Sequence, residues 1–136
     1  MKRVHIRNLK KEIKIEEDKL RALALRVLKE EKVTQSIELD VTFVDDTYIK
    51  DLNKKYKKRE YPTDVLCFEV ATEFPKKTLL GDIYISVDRA KEQAQKIGED
   101  LDRELARLLI HGILHLLGYN HKDMSTKEDY YLSTMM

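Results

Sequence analysis

The stretch Asp102-Arg-Glu-Leu-Ala-Arg-Leu-Leu-Ile-His-Gly-Ile-Leu-His-Leu-Leu117, followed by Gly118-Tyr-Asn-His121, sets the centre of the fold. Residues 102 to 117 read as a strongly apolar helix, the longest of its kind in the chain and therefore the central one. Two histidines stand in it at a fixed interval. His111 and His115 are four residues apart, so they project from one face of the helix. Gly118 follows and can adopt a positive φ, which ends the helix in a sharp turn. That turn can carry His121 back toward the first two histidines. Two ligands on a helix, a glycine turn and a third ligand make a three-His metal site. Three neutral imidazoles suit one Zn²⁺ ion, with a fourth position left for water, which is catalytic rather than structural in character. With four His and four Gly in 136 residues, the spacing H-x-x-x-H-x-x-G-x-x-H arises by chance in about one such chain in 10⁴.

The same spacing is that of the metzincin ligand set, so a metzincin-like zinc helix and turn is expected. Zinc peptidases with H-E-x-x-H use the Glu after the first His as general base. Here that position is Gly112. The metal signal is strong and the peptidase signal weak.

Outward from this helix the pattern is α+β. Leu20, Leu23, Ala24, Val27 and Leu28 recur with helical spacing. Residues 37–44 alternate apolar and polar, which predicts a strand with one face on a core and one face wet. Asp45 and Asp46 can cap a short helix carrying Ile49, Leu52 and Tyr56 on one side. Residues 57–62 read as a polar loop, 65–70 as a second strand, and Pro75, Lys76 and Lys77 as a turn. Residues 82–86 read as a third strand and 4–9 as a fourth. Ser86 can cap a helix bearing Val87, Ala90, Ala94 and Ile97, ended by Gly98. Ser125-Thr-Lys-Glu128 has the form of a capping box opening a terminal helix. The expectation is one domain over residues 1–136, a small mixed four-stranded sheet packed by about five helices.

Composition narrows the function. Lys+Arg 26 against Asp+Glu 25 leaves a net charge of +1, which excludes a uniformly basic nucleic-acid coat protein but not a local basic patch. A single Cys, Cys67, cannot form an internal disulfide. No apolar run approaches the roughly 18 residues needed to span a bilayer, so no membrane partner is expected. The first residues lack the apolar core of a signal peptide. The chain reads as soluble and cytoplasmic.

The eleven residues from His111 to His121 closely resemble the signature of the YbeY family, bacterial metal-dependent endoribonucleases of rRNA maturation, H-G-x-L-H-L-x-G-Y-D-H. Two more segments agree. Pro62-Thr-Asp-Val-Leu-Cys-Phe68 resembles the family's P-T-D-V-L-S-F, and Leu80-Gly-Asp-Ile-Tyr-Ile-Ser86 resembles its L-G-D-I-x-I-S. The resemblance runs from about residue 53 to 121. It implies a single α+β domain with zinc in a cleft, held by His111, His115 and His121. It implies a role in 16S rRNA 3′-end maturation and ribosome quality control. The implied partners are the 16S rRNA precursor, the small ribosomal subunit with its proteins, and a ribosome-assembly GTPase. Three positions depart from the pattern. Asn120 stands for the usual Asp and keeps an acceptor oxygen without the charge. Lys57 stands for an Arg and keeps the charge without the bidentate fork. Cys67 stands for a Ser.

Lys54, Lys55, Lys57, Lys58 and Arg59 surround Tyr56, with Tyr61 close behind. Cations neutralise phosphates and aromatics stack on unpaired bases, so this run is the RNA-binding candidate. The bland alternative is a solvated helix end whose lysines favour the dipole. Within the run, Lys57 or Arg59 is the candidate to neutralise charge on the reacting phosphate. Asp64 and Asp82 could orient a metal-bound His or cap turns at strand starts. Glu104 lies seven residues before His111, either near the ligands or at the solvated start of the helix. His5 reads as an ordinary strand or surface His. The expected activity is metal-assisted hydrolysis of single-stranded RNA. The alternatives are a metzincin-like metallopeptidase, which Gly112 opposes, and a non-catalytic ribosome-assembly factor with a structural metal.

Overall fold

Alternation at every second residue puts Ile37, Leu39, Val41 and Phe43 on one face of a nine-residue strand, β2, and all four are at most 3% exposed. In the computed structural model β2 spans Ser36–Val44 and lies inside a mixed sheet. The structure describes residues 2–33, 36–57, 63–70 and 78–134, and within these it leaves out the side chains of residues 57, 69, 70, 78–80 and 121. Strand β1 (Lys2–Asn8) pairs parallel to one side of β2, and β4 (Thr78–Ser86) pairs parallel to the other. Strand β3 (Val65–Val70) is the antiparallel edge on β4, giving the order β1-β2-β4-β3. Parallel neighbours need a crossover, and helix α1 (Glu17–Glu30) supplies it between β1 and β2.

Helix α2 (Asp46–Lys57) follows β2. Helices α3 (Val87–Ile97), α4 (Leu101–Leu116) and α5 (His121–Ser133) follow β4 in direct succession. Among the described residues this makes one α+β domain of four strands and five helices, as the sequence predicts. The five apolar residues named for α1 are all buried, and they share one core with the inner face of β2, with Ile83 and Ile85, and with α4. Each Leu, Ile or Val among them contributes about 2 kcal/mol on burial. A second, smaller core forms on the opposite face, where Ile49 of α2 meets Val44 and Leu66, flanked by Leu52, Phe68 and Tyr84.

The caps follow the sequence in three places and depart from it in one. The Asp45 side chain accepts from the Tyr48 amide at 2.8 Å, and the Ser86 hydroxyl accepts from the Arg89 amide at 3.1 Å. Gly98 closes α3 at φ 72°. The terminal helix, however, starts four residues before the predicted capping box. Asn120 is its N-cap, its Oδ1 accepting from the Asp123 amide at 3.1 Å, so Ser125 and Glu128 lie inside α5. The glycine turn delivers Asn120 early enough to cap first.

Three smaller expectations are corrected. The outer face of β2 is not wholly wet, because α2 covers its end: Thr42 and Val44 are buried while Glu38 and Asp40 are exposed. Ile97 is 55% exposed, since α3 ends beside it at Gly98. Lys57 is the last residue of α2 rather than the first of a loop. The predicted turn at Pro75, Lys76 and Lys77 lies outside the described residues.

Candidate active site

Helix α4 is held by neighbours on almost every side: α1, α3, α5, β3 and β4. Between Arg103 and His115 only every fourth residue reaches solvent, namely Arg103, Arg107, His111 and His115, and the nine residues between them are buried. The histidine pair therefore occupies the end of the helix's one open stripe. Gly112, next in sequence to His111, faces the sheet instead. A Cβ there would stand 2.9 and 3.0 Å from two carbons of Ile83 and 3.4 Å from the Cys67 sulfur. The glycine allows α4 to lie close on β3 and β4.

The turn after α4 is built as the sequence predicts. Gly118 has φ 94°, its amide donates to the His115 carbonyl at 3.0 Å, and the Tyr119 amide donates to the Leu114 carbonyl at 3.1 Å. Asn120 then opens α5, so the Asn-for-Asp departure falls on a cap position where either residue serves. His121 is the first residue of α5, and its side chain lies outside the described residues. Among the described residues no group of three or more His, Cys, Asp or Glu converges as a metal site.

A residue that sequence reasoning missed sits behind His111. Glu128 of α5 places Oε2 3.2 Å from His111 Nδ1. A carboxylate accepting from Nδ1 fixes the imidazole tautomer and leaves the lone pair on Nε2, the usual support of a metal-ligating His. The Glu128 contact raises the His111 pKa, against the lowering effect of burial, and Asp64 adds a smaller raising influence. The sequence carries a signal for Glu128, a Glu at helical spacing in α5, but the same residue also fits a capping box with Ser125. The donor set fits a divalent ion: two imidazoles one turn apart on an open stripe, one braced by a carboxylate.

Asp64 lies at the start of β3. Its carboxylate accepts from Gln93 Nε2 at 3.3 Å, its carbonyl accepts from the Ser86 amide at 2.9 Å, and its charge acts on both His111 and Glu104. Glu104 is not at a solvated helix start. It is 4% exposed, Arg107 Nε lies 3.1 Å from its Oε1, and burial raises its pKa against the opposing charge of Arg107. Asp82 is elsewhere. Ile83 faces α4, so its neighbour Asp82 faces the other side of the sheet, paired in register with Asp40 and Phe68, and burial and then Asp40 raise its pKa. His5 is a strand residue 3.4 Å from Glu38.

Cys67 lies beside Gly112, next to His111. Its sulfur donates to the Gly112 carbonyl at 3.7 Å, because odd-numbered residues of β3 face α4. Of the basic run, Lys54 and Lys55 are exposed on α2, the layer opposite α4, and the Lys55 amine lies 5.3 Å from the Tyr56 ring centre. Tyr56 packs edge-on against Phe68. The Lys57 side chain, Lys58, Arg59 and Tyr61 lie outside the described residues.

A sequence profile of the family described as Endoribonuclease YbeY matches residues 5–133. A protein of that description from Aquifex aeolicus is 46% identical over 93 residues, which is 68% of this chain and 62% of that protein. The match therefore spans less than two thirds of that relative's length. Another, from Bacillus mycoides, is 41% identical over 121 residues, 81% of this chain and 74% of that protein. The solution structure of TM1509 from Thermotoga maritima superposes with a TM-score of 0.64 at 26% identity, covering 98% of this chain and 89% of that one.

Proposed function

The chain belongs to the Endoribonuclease YbeY family, and on that footing we propose that it is a zinc-dependent endoribonuclease that hydrolyses single-stranded RNA. The observation that carries this reading is the open His111 and His115 pair with Glu128 fixing His111 Nδ1. His111, His115 and His121 would hold the ion. When bound there, Zn²⁺ supplies Lewis acidity to a phosphate oxygen and lowers the pKa of a water.

The chain's own residues do the rest. Glu128 holds the imidazole tautomer, and the Gly118 turn returns the chain so that α5 begins at His121. Asp64 adds negative charge beside His111. Lys57 and Arg59 neutralise charge on the reacting phosphate. Lys54, Lys55 and Lys58 contact the flanking RNA backbone.

The substrate we propose is the 16S rRNA precursor at its 3′ end, in ribosome maturation and quality control, with the small subunit, its proteins and an assembly GTPase as cytoplasmic partners. Among the described residues no helix is long and apolar enough to cross a membrane. The test compares RNA cleavage by zinc-loaded protein, EDTA-treated protein and His115→Ala. Only the first is expected to cut; equal cleavage by all three rejects the reading. A map of 16S 3′ ends after depletion tests the substrate.

A second measurement isolates Glu128. Glu128→Ala is expected to weaken zinc affinity about 10- to 100-fold in a chelator competition. Its melting temperature should move far less than that of a core variant. Unchanged affinity would mean that the carboxylate does not support the ligand.

A further inference from the structure

The open stripe of α4 does not end at the histidines. Arg107 precedes His111 by four residues and Arg103 precedes Arg107 by four, and both are about one-third exposed. At 1.5 Å per residue, neighbours along the stripe are about 6 Å apart, and the four side chains span about 18 Å. We propose that Arg103 and Arg107 form a phosphate-binding rail that takes the RNA backbone on one side of the histidine pair, with Glu104 as the positioning residue for Arg107. The proposal rests on the endoribonuclease reading of the same site.

Glu104 carries the argument. Burying a carboxylate costs free energy that a single ion pair rarely recovers, so such a residue is weak evidence of stabilisation. Here it sits under the stripe, with Arg107 Nε 3.1 Å away but misaligned for a full hydrogen bond, so that both atoms are buried without one. That contact engages the inner edge of the guanidinium. Its two terminal nitrogens have no partner among the described residues. A guanidinium held by Nε and open at its end presents the fork that fits phosphate oxygens. Glu99 contacts Arg103 in the same manner, 3.5 Å from its Nε.

The surroundings make the rail selective. Asp64 and Glu128 place negative charge around His111 and Glu104. RNA approaching this acidic ground needs cations on the stripe itself, and Arg103 and Arg107 are the cations it has. The chain's net charge of +1 gives no general attraction.

The test is salt-dependent binding of a non-cleavable 2′-O-methyl oligonucleotide to zinc-loaded protein. For each of Arg103→Ala and Arg107→Ala, the slope of log affinity against log salt should fall by about 0.7. Equivalently, the affinity lost between 50 and 200 mM salt should shrink by about 2.6-fold for each arginine removed. Affinity at low salt should drop about tenfold for Arg107→Ala. Arg107→Lys should recover the slope but only part of the affinity. Glu104→Ala should reproduce the weak binding of Arg107→Ala, and Glu104→Gln, which keeps an acceptor for Nε, should restore it. Zinc content of the arginine variants should match the parent, and the melting temperature should match for Arg103→Ala and for Arg107→Lys, which keeps a cation on the buried Glu104. An unchanged slope in the double arginine variant overturns the rail while leaving the endoribonuclease reading intact. Parent protein that neither binds nor cuts RNA overturns both.

Discussion

Gly112→Glu is expected to lose its cooperative thermal melt. Position 112 has no room for a side chain, because a Cβ would lie within 3.0 Å of Ile83, a fully buried residue between β2 and β3, and 3.4 Å from the Cys67 sulfur. Ile83 is β-branched and stiff, and it is packed on all sides, so it has nowhere to move. Overpacking of this kind costs about 1–3 kcal/mol. A carboxylate driven between α4 and the sheet without a partner adds several kcal/mol more. Together these approach the 5–15 kcal/mol that holds a typical domain folded. Gly112→Ala is the graded version. Helix propensity favours Ala by about 1 kcal/mol and offsets part of the clash of about 1–3 kcal/mol, so the net loss should be at most about 2 kcal/mol. Circular dichroism melts of both variants decide the matter. A folded Gly112→Glu protein melting near the parent would mean that α4 does not lie this close to β4. The same packing gives a structural reason against the peptidase alternative: the glycine leaves no place for the H-E-x-x-H base.

Glu31→Ala is expected to lower stability by about 3 kcal/mol or more, a fall in melting temperature of about 10 °C at this chain length. Glu31 caps the end of α1, and its buried carboxylate accepts from the hydroxyls of Tyr119 and Tyr131 and from the Lys127 amine at 3.0 Å. Removing it strands three donors, one of them on the almost fully buried Tyr131. Tyr119 belongs to the turn between α4 and His121, so the damage reaches the proposed ligand set. Glu31→Gln keeps one acceptor and should lose less. Burial pushes the Glu31 carboxyl up, but the three donors together outweigh it and hold it below the ordinary 4.5. A carboxyl depressed in the folded state stabilises above its unfolded value and loses that contribution as pH falls through the folded one. Parent stability should therefore decline below about pH 4.5, and Glu31→Gln should flatten that decline. Parallel acid limbs in the two proteins would refute the latch.

Local pattern made most of the architecture legible. The periodicities of α1 and β2, and the Gly118 turn, needed no tertiary knowledge because each is dictated by backbone geometry and one-sided burial. The errors came where distant segments meet. Thr42 and Val44 looked wet until α2 covered them. Glu104 stayed open between a place near the ligands and a solvated helix start, because nothing local says that a charged residue in the first turn will be buried and under the influence of Asp64. Glu128 looked like a cap because its partner, His111, is 17 residues away on another helix. The two arginines were discoverable: they continue the four-residue interval of the histidines through an otherwise apolar helix.

The open stripe of α4 also shapes how such a protein can drift under selection. Nine of the thirteen positions from Arg103 to His115 are committed to packing, so a polar replacement there unsettles the whole domain. Of the other four, His111 and His115 are tied to the proposed metal role, which leaves Arg103 and, within the limit set by the buried Glu104, Arg107 to exchange size and donor pattern while the interior stays as it is. Preference for one substrate over another can thus be rewritten at very few codons, largely uncoupled from foldability.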